Sequence, residues 1–264
     1  MDKKDILTEI MEHKRTEIAR QQEVVSYDFL EAHCPDCQKL RSMKSSLASS
    51  PSGIIAEFKR RSPSKGWIKQ EGDPAVIPHS YQTAGASALS ILTDSQFFGG
   101  SLKDIKTARP TVDIPILRKD FIFCDYQLLQ AKATGADAVL LIAACLETGE
   151  CRTLAQKAHE LNLEVLLEIH QESELGHVNE FVDMVGVNNR NLGTFHTDVE
   201  NSFRLAEKLP KDILLVSESG ISSPETIVQL RKAGFRGFLI GESFMKTPDP
   251  GETLRNFIKG IESC

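Results

Sequence analysis

The chain has 264 residues, 41% of them hydrophobic and 26% charged, with a formal net charge of -6 at pH 7. That balance fits a soluble protein with a sizeable core, and the length favours one large domain over two. Interspersed acids and bases argue against nucleic-acid binding while leaving room for a local cationic pocket.

Residues 1–50 read as a helical extension ahead of a unit spanning 51–264. Ile6, Ile10 and Ile18 fall near one helical face with Met11 flanking, while Lys14, Glu17 and Arg20 take the rest. A second amphipathic segment near 28–33 stops at Cys34-Pro35. The stretch 39–52 is rich in serine and ends in Pro51-Ser52-Gly53, a loop boundary.

An alternation follows. Short apolar segments at 54–59, 88–92, 115–118, 137–142, 163–168, 184–188, 213–217 and 237–241 are expected as strands. Helical patterns at 74–84, 126–134, 148–161, 199–209, 224–233 and 252–261 lie between or after them. Gly85, Gly135 and Gly234 each follow a helical run, as a C′ glycine does. Pro224 after Ser222-Ser223 suits a first helical turn behind a serine cap. Strands separated by helices imply a parallel sheet. Eight units, in a chain near the ~250 residues typical of the fold, favour a closed (β/α)8 TIM barrel over an open sheet. No dinucleotide or P-loop fingerprint is present.

Most of these strands end in polar groups, and a parallel barrel assembles its active site at the C-terminal ends of its strands. Side chains alternate along a strand, so Phe58 packs outward while Ile55, Glu57 and Lys59 share the inner face. A carboxylate and an ammonium so close inside a barrel are costly unless paired. An ion pair that merely plugs the barrel would explain two charges. Lys119, Glu168, Asn188 and Arg190 also leave strands three, five and six, and six such groups on one rim point to chemistry. The other side of that rim carries Gly220 after strand seven and Gly241-Glu242-Ser243 after strand eight. Those two loops and a short helix start form the recurrent phosphate site of such barrels. Ser62, in the loop after strand one, can add a hydroxyl, and the Glu242 side chain is expected to point away from the anion.

The six cysteines show no framework spacing. Cys34-Pro35-Asp36-Cys37, preceded by His33, has no second pair to complete a zinc site and lies outside any βαβ unit. Reduced cysteines in a loop are the expectation, with no metal and no cofactor. The most apolar run, 138–146, is far short of the roughly 18 residues of a membrane helix. Met1-Asp2-Lys3-Lys4-Asp5 leads into no signal-peptide core. A cytoplasmic protein without membrane contact is expected.

The run Ile54-Ile55-Ala56-Glu57-Phe58-Lys59-Arg60-Arg61-Ser62-Pro63-Ser64-Lys65-Gly66 closely resembles the signature of the indole-3-glycerol phosphate synthase family. Ser90-Ile91-Leu92-Thr93-Asp94, Phe97-Phe98-Gly99-Gly100-Ser101, Leu117-Arg118-Lys119-Asp120-Phe121 and Glu168-Ile169-His170 continue the match. Val187-Asn188-Asn189-Arg190-Asn191-Leu192, Ser217-Glu218-Ser219-Gly220-Ile221 and Ile240-Gly241-Glu242-Ser243 complete it. The resemblance implies a barrel that closes, decarboxylates and dehydrates an anthranilate bearing an opened, phosphorylated ribulose chain, without a cofactor. It implies phosphate on Ser62, Gly220, Gly241, Glu242 and Ser243, and the anthranilate carboxylate on Lys59. Phe121, Leu140 and Ile142 would bound the aromatic ring, and Ser219 would join the pocket wall. Lys119 would be the general acid of ring closure. Glu57, Glu168 and Lys59 would share the later proton transfers, in an order the residues leave open. Asn188 would hold substrate hydroxyls, Arg190 would orient Glu57 and Glu168, and Glu218 would belong to the same ring. The family also implies an extension packed at the barrel mouth.

Two rivals remain at this level. A phosphoribosylanthranilate isomerase would carry a cysteine after strand one and an aspartate after strand six, where this chain has Glu57 with Lys59 and Asn188. A barrel retained only as a binding partner would be expected to lose such costly charges. The partner expected is a small phosphorylated molecule. Oligomeric state is barely written in the sequence, and a monomer is the working expectation.

Overall fold

The computed structural model describes residues 6–34, 41–191 and 193–264. Eight parallel strands close into a barrel in sequential order. They are β1 (Ile54–Phe58), β2 (Ala88–Leu92), β3 (Ile116–Lys119), β4 (Ala138–Ile142), β5 (Glu164–Ile169), β6 (Met184–Asn188), β7 (Leu214–Glu218) and β8 (Phe235–Ile240). Pairing of Ile54 with Phe238 and Ile55 with Leu239 joins the last strand to the first. Every residue of β1, β2, β4 and β7 is buried. Strands covered on both faces read as unbroken apolar runs, which is why the segments were visible in the sequence.

The helices are α1 (Ile6–Val24), α2 (Tyr27–Ala32), α3 (Met43–Ser49), α4 (Ile77–Ala84), α5 (Leu102–Ala108) and α6 (Asp125–Thr134), then α7 (Thr148–Glu160), α8 (Glu200–Ala206), α9 (Pro224–Lys232), α10 (Glu242–Met245) and α11 (Pro250–Glu262). Gly85 and Gly135 end α4 and α6 in the left-handed region, with φ of 103° and 94°. Pro224 opens α9 behind Ser223, although the serine side chain makes no capping bond. Between β5 and β6 the crossover carries only a 3-10 segment, Glu172–His177.

Two apolar layers result. Phe58, Ile91, Val139, Val165 and Val185 point outward to the helices in one cluster. Ile55, Leu117, Leu140, Ile142, Leu166, Val216 and Leu239 fill the barrel interior in another. Phe58 out and Ile55 in is the alternation expected of β1.

The extension does not all lie at the mouth, and here the expectation for residues 1–50 is corrected. Ile6, Leu7 and Ile10 of α1 line the cavity at the C-terminal end of the barrel. Met43 and Leu47 of α3 belong instead to the interior cluster, and both are buried. Ser42 Oγ donates to Glu164 Oε1 at 2.5 Å, and the Lys44 amide donates to Glu164 Oε2 at 2.9 Å. Ser46 Oγ donates to the Ser87 carbonyl at 2.6 Å. Glu164 starts β5 and Ser87 precedes β2, so α3 closes the barrel at its lower end. The serine-rich composition of this stretch reads as a loop, whereas its hydroxyls cap α3 and satisfy the strand ends. Of the pair Cys34 and Cys37, the second lies outside the described residues.

Removing residues 1–25 should leave a cooperatively folding barrel with a raised KM, because α1 borders the cavity. Extending the cut through Ser49 should abolish cooperative unfolding. It uncaps the interior at Met43 and Leu47, and large-to-small changes at such sites each cost about 2–5 kcal/mol. Circular dichroism melts and steady-state kinetics on both truncations check this.

Candidate active site

The odd-numbered strands build the floor of the site. Glu57 of β1, Lys119 of β3, Glu168 of β5 and Glu218 of β7 sit two residues above Ile55, Leu117, Leu166 and Val216 of the interior cluster. Alternate strands of such a barrel contribute successive layers of side chains. The top layer is charged and rests on an apolar one.

Lys119 Nζ lies 2.8 Å from Glu218 Oε2 and 3.0 Å from Glu168 Oε2. Burial works against its charge, but Glu168, Glu218 and Glu57 outweigh burial and hold the ammonium well above its usual range. Burial likewise opposes ionisation of Glu168. Lys119, His170 and the Asn188 amide, which donates to Oε1 at 3.1 Å, overcome it and bring the carboxyl down to about 2. Glu218 goes the other way. Burial pushes it up to about 7, Lys119 opposes, and Glu168 and Glu57 add to the rise. One buried carboxylate is therefore kept ionised while its neighbour titrates near neutrality. Lys59 Nζ pairs with Glu57 Oε1 at 2.5 Å on the β1 side.

These groups border a cavity of about 870 Å³. Phe121, Leu140 and Ile142 form part of its wall, together with Phe98, whose ring centroid is 6.0 Å from that of Phe121. Across the mouth, Ser62, Ser219, Gly220, Gly241, Glu242 and Ser243 line the other side. Ser62 Oγ is buried and has no hydrogen-bond partner among the described residues. Ser219 and Gly220 both have left-handed φ, 66° and 77°. The Asn189 amide holds the Ser219 carbonyl at 3.0 Å. A non-glycine residue in that region is uncommon and tends to mark a functional turn.

Gly241 lies hard against a neighbouring strand. A Cβ there would stand 2.4 Å from Glu57 Oε1 and 3.0 Å from the Glu57 Cβ. The missing side chain therefore makes room for a carboxylate of the neighbouring strand.

Two expectations are corrected. Arg190 does not reach Glu57 or Glu168. Its Nη1 donates to Ser64 Oγ at 3.2 Å and its Nη2 lies 3.7 Å from Glu242 Oε2. The loop after β6 turns the guanidinium toward the glycine side, where the pairing of Arg190 with Thr197 pins it. Glu242 does not point away. Its carboxylate lies between Arg190 and Lys65, at 3.7 and 3.8 Å.

Sequence reasoning missed four groups as site residues. Phe98 was quoted only within a motif. His170 follows Glu168 by two residues, the spacing that keeps a strand's side chains on one face, and its Nε2 is 3.3 Å from Glu168 Oε1. Lys65 and Phe195 line the mouth from loops, where no periodicity marks them.

Acids and bases ringed at the C-terminal end of a parallel barrel define a TIM-barrel enzyme. The chain belongs to the indole-3-glycerol phosphate synthase family, whose model matches residues 7–257, a family of carboxy-lyases in tryptophan biosynthesis. An indole-3-glycerol phosphate synthase of Bacteroides thetaiotaomicron is 66% identical over 259 residues, covering 98% of this chain and 100% of that protein. One of Magnetococcus marinus is 43% identical, covering 96% and 98%. Among solved structures, tryptophan synthase subunit alpha from Legionella pneumophila aligns with a TM-score of 0.62 at 14% identity, over 85% of this chain and 98% of that one. Thiamine phosphate pyrophosphorylase from Pyrococcus furiosus aligns with 0.61 at 16% identity, over 84% and 98%. At such identities the likeness is one of fold.

Infrared difference spectra should contain a protonated carboxyl band that disappears with a midpoint near pH 7 and is absent in Glu218→Gln. The sign follows from the raised pKa, which keeps the neutral acid populated until that pH. Gly241→Val should lower both kcat and phosphate affinity because it displaces Glu57. Ser62→Ala should instead weaken phosphate binding alone, by about ten- to a hundredfold for one hydrogen bond to a charged group. Phosphate competition and turnover assays on both variants separate the two effects.

Proposed function

We propose that this cavity converts 1-(2-carboxyphenylamino)-1-deoxyribulose 5-phosphate to indole-3-glycerol phosphate, with the aryl ring beside Phe98 and Phe121. The observation that carries the reading is Lys119, charged and held between Glu168 and Glu218, with aromatic side chains on one flank and a glycine turn on the other.

The phosphate would take backbone N–H groups at Gly220, Gly241, Glu242 and Ser243 and the unpaired hydroxyl of Ser62. Arg190 and Lys65, now on Glu242, would add positive charge there. Lys59 would meet the aryl carboxylate, and Leu140 and Ile142 would bound the ring. The aryl carbon bearing that carboxylate attacks the ketone carbon. The ketone π pair moves to oxygen, which takes a proton from Lys119. Loss of carbon dioxide returns the C–C bonding pair to the ring. The new hydroxyl then leaves as water, helped by the nitrogen lone pair through the ring, and the adjacent carbon loses a proton. Glu168, held ionised, suits the base. Lys59, paired with Glu57, suits the acid for the departing hydroxyl. Asn188 would hold a chain hydroxyl while it fixes Glu168.

No helix among the described residues is long and apolar enough to cross a membrane. A small, charged substrate fits an aqueous compartment, and we read the enzyme as a cytoplasmic monomer, which sedimentation checks.

Indole absorbance should appear when the purified protein meets the open-chain substrate. Lys119→Ala should lower kcat by about 10²–10⁴, the usual worth of a positioned acid, while affinity for inorganic phosphate stays within about twofold, since that ion lies away from Lys119. A variant that loses phosphate affinity as well makes Lys119 an anchor and overturns its assignment as the acid.

A further inference from the structure

Lys14 is a buried cation that the proposed chemistry does not use. It lies on α1, and its side chain is 1% exposed. The ammonium bridges two buried carboxylates, 2.8 Å from Asp94 Oδ2 and 3.0 Å from Asp120 Oδ1, and lies 2.8 Å from the half-buried Glu17. Arg118 is the other cation of the cluster, and it serves Asp120 Oδ2, at 2.9 Å. Asp94 Oδ2 has no aligned hydrogen bond among the described residues, so the ammonium is its sole compensation there.

Each carboxylate organises one loop of the aryl pocket. Asp94 follows β2. Its Oδ1 accepts from the Phe97 amide at 2.7 Å, and its carbonyl accepts from the Gly100 amide at 2.7 Å. Those bonds shape the turn that carries Phe98. Asp120 follows β3, and its Oδ1 accepts from the Phe121 amide at 2.9 Å. Lys14 therefore joins the acids that hold the two aromatic rings of the pocket. The His13 ring meets Phe97 edge-on at 5.6 Å, a second contact between α1 and the same turn.

We propose that Lys14 is a positioning residue that sets the spacing of Phe98 and Phe121, and so the width of the slot for the substrate's aryl ring. Without Lys14, Arg118 still serves Asp120 while Asp94 is left unpaired, and its repulsion from Asp120 would spread the two turns they anchor. Lys119 is held separately by Glu168 and Glu218, and the phosphate side is built from β7, β8 and the loop after β1. The effect therefore falls on aryl binding. The inference rests on the proposed substrate only in taking the slot's occupant to be an aryl ring.

The test compares wild type, Lys14→Met and the charge-balanced Lys14→Met/Asp94→Asn, in which the second change removes the repulsion that the first exposes. Fluorescence titration with 2-aminobenzoate reads the aryl slot, competition with inorganic phosphate reads the cradle, and kinetics give KM and kcat. Lys14→Met should bind 2-aminobenzoate about tenfold more weakly, a change of about 1.4 kcal/mol, and the double variant should recover to within about threefold of wild type. KM should rise in step, with kcat and phosphate affinity within about threefold, the pattern of lost uniform binding. Unchanged aryl affinity in Lys14→Met overturns the clamp, as does a double variant that binds 2-aminobenzoate as weakly as the single one, or an equal loss of phosphate affinity, which would mean general loosening. If wild type forms no indole product, the functional reading fails, while the aryl titration still decides the clamp.

Discussion

A charged lysine inside a barrel is tolerable only where carboxylates meet it, and that requirement organises the upper half of this molecule. Lys119 satisfies it with Glu168 and Glu218 at once. Those partners come from β5 and β7, so the arrangement exists only when the barrel is closed and odd-numbered strands share a layer. Two carboxylates on one ammonium cannot be equivalent. Asn188 and His170 favour ionisation of Glu168, whereas Glu218 has an oxygen without a hydrogen-bond partner among the described residues. Their proton affinities separate accordingly, which is how neighbouring acids of one type come to hold different states at one pH.

Much of this was legible because strand geometry is periodic. The eight strands were expected within a residue or two of their observed bounds, and alternation put Glu57 and Lys59 inward and Phe58 outward. The glycines at the ends of β7 and β8 were readable for the same reason. Arg190 was not. It leaves its strand, and a side chain of that length on a loop takes its direction from a turn whose partner, Thr197, lies seven residues on. α3 was also missed, because its serines signal a loop while two apolar residues, Met43 and Leu47, do the packing. The contact between Gly241 and Glu57 belongs to neither residue's local sequence, since it needs β8 beside β1.

The two corrections change how the site divides. With Arg190 on Ser64 and Glu242, positive charge gathers at the glycine side, away from the proton-transferring layer. Glu242 holds Arg190 and Lys65 in place without ligand. On the proposed reading, an incoming dianion would find cations already ordered and would exchange one anionic partner for another, which reduces the entropy lost on binding.

The seal beneath the barrel has a consequence for synthesis. Met43 and Leu47 are synthesised well before Leu166, Val216 and Leu239 of the interior cluster they belong to. Glu164, which receives Ser42 and the Lys44 amide, is more than a hundred residues downstream. β1 likewise waits for β8 before one of its edges is paired. The nascent chain thus carries an open strand edge and an incompletely buried apolar helix until β8 has emerged. Contacts of such sequence separation form slowly, and exposed edges and apolar faces are where association between unfinished chains begins. The feature that makes the finished barrel watertight below therefore makes its last two strands the step on which productive folding waits.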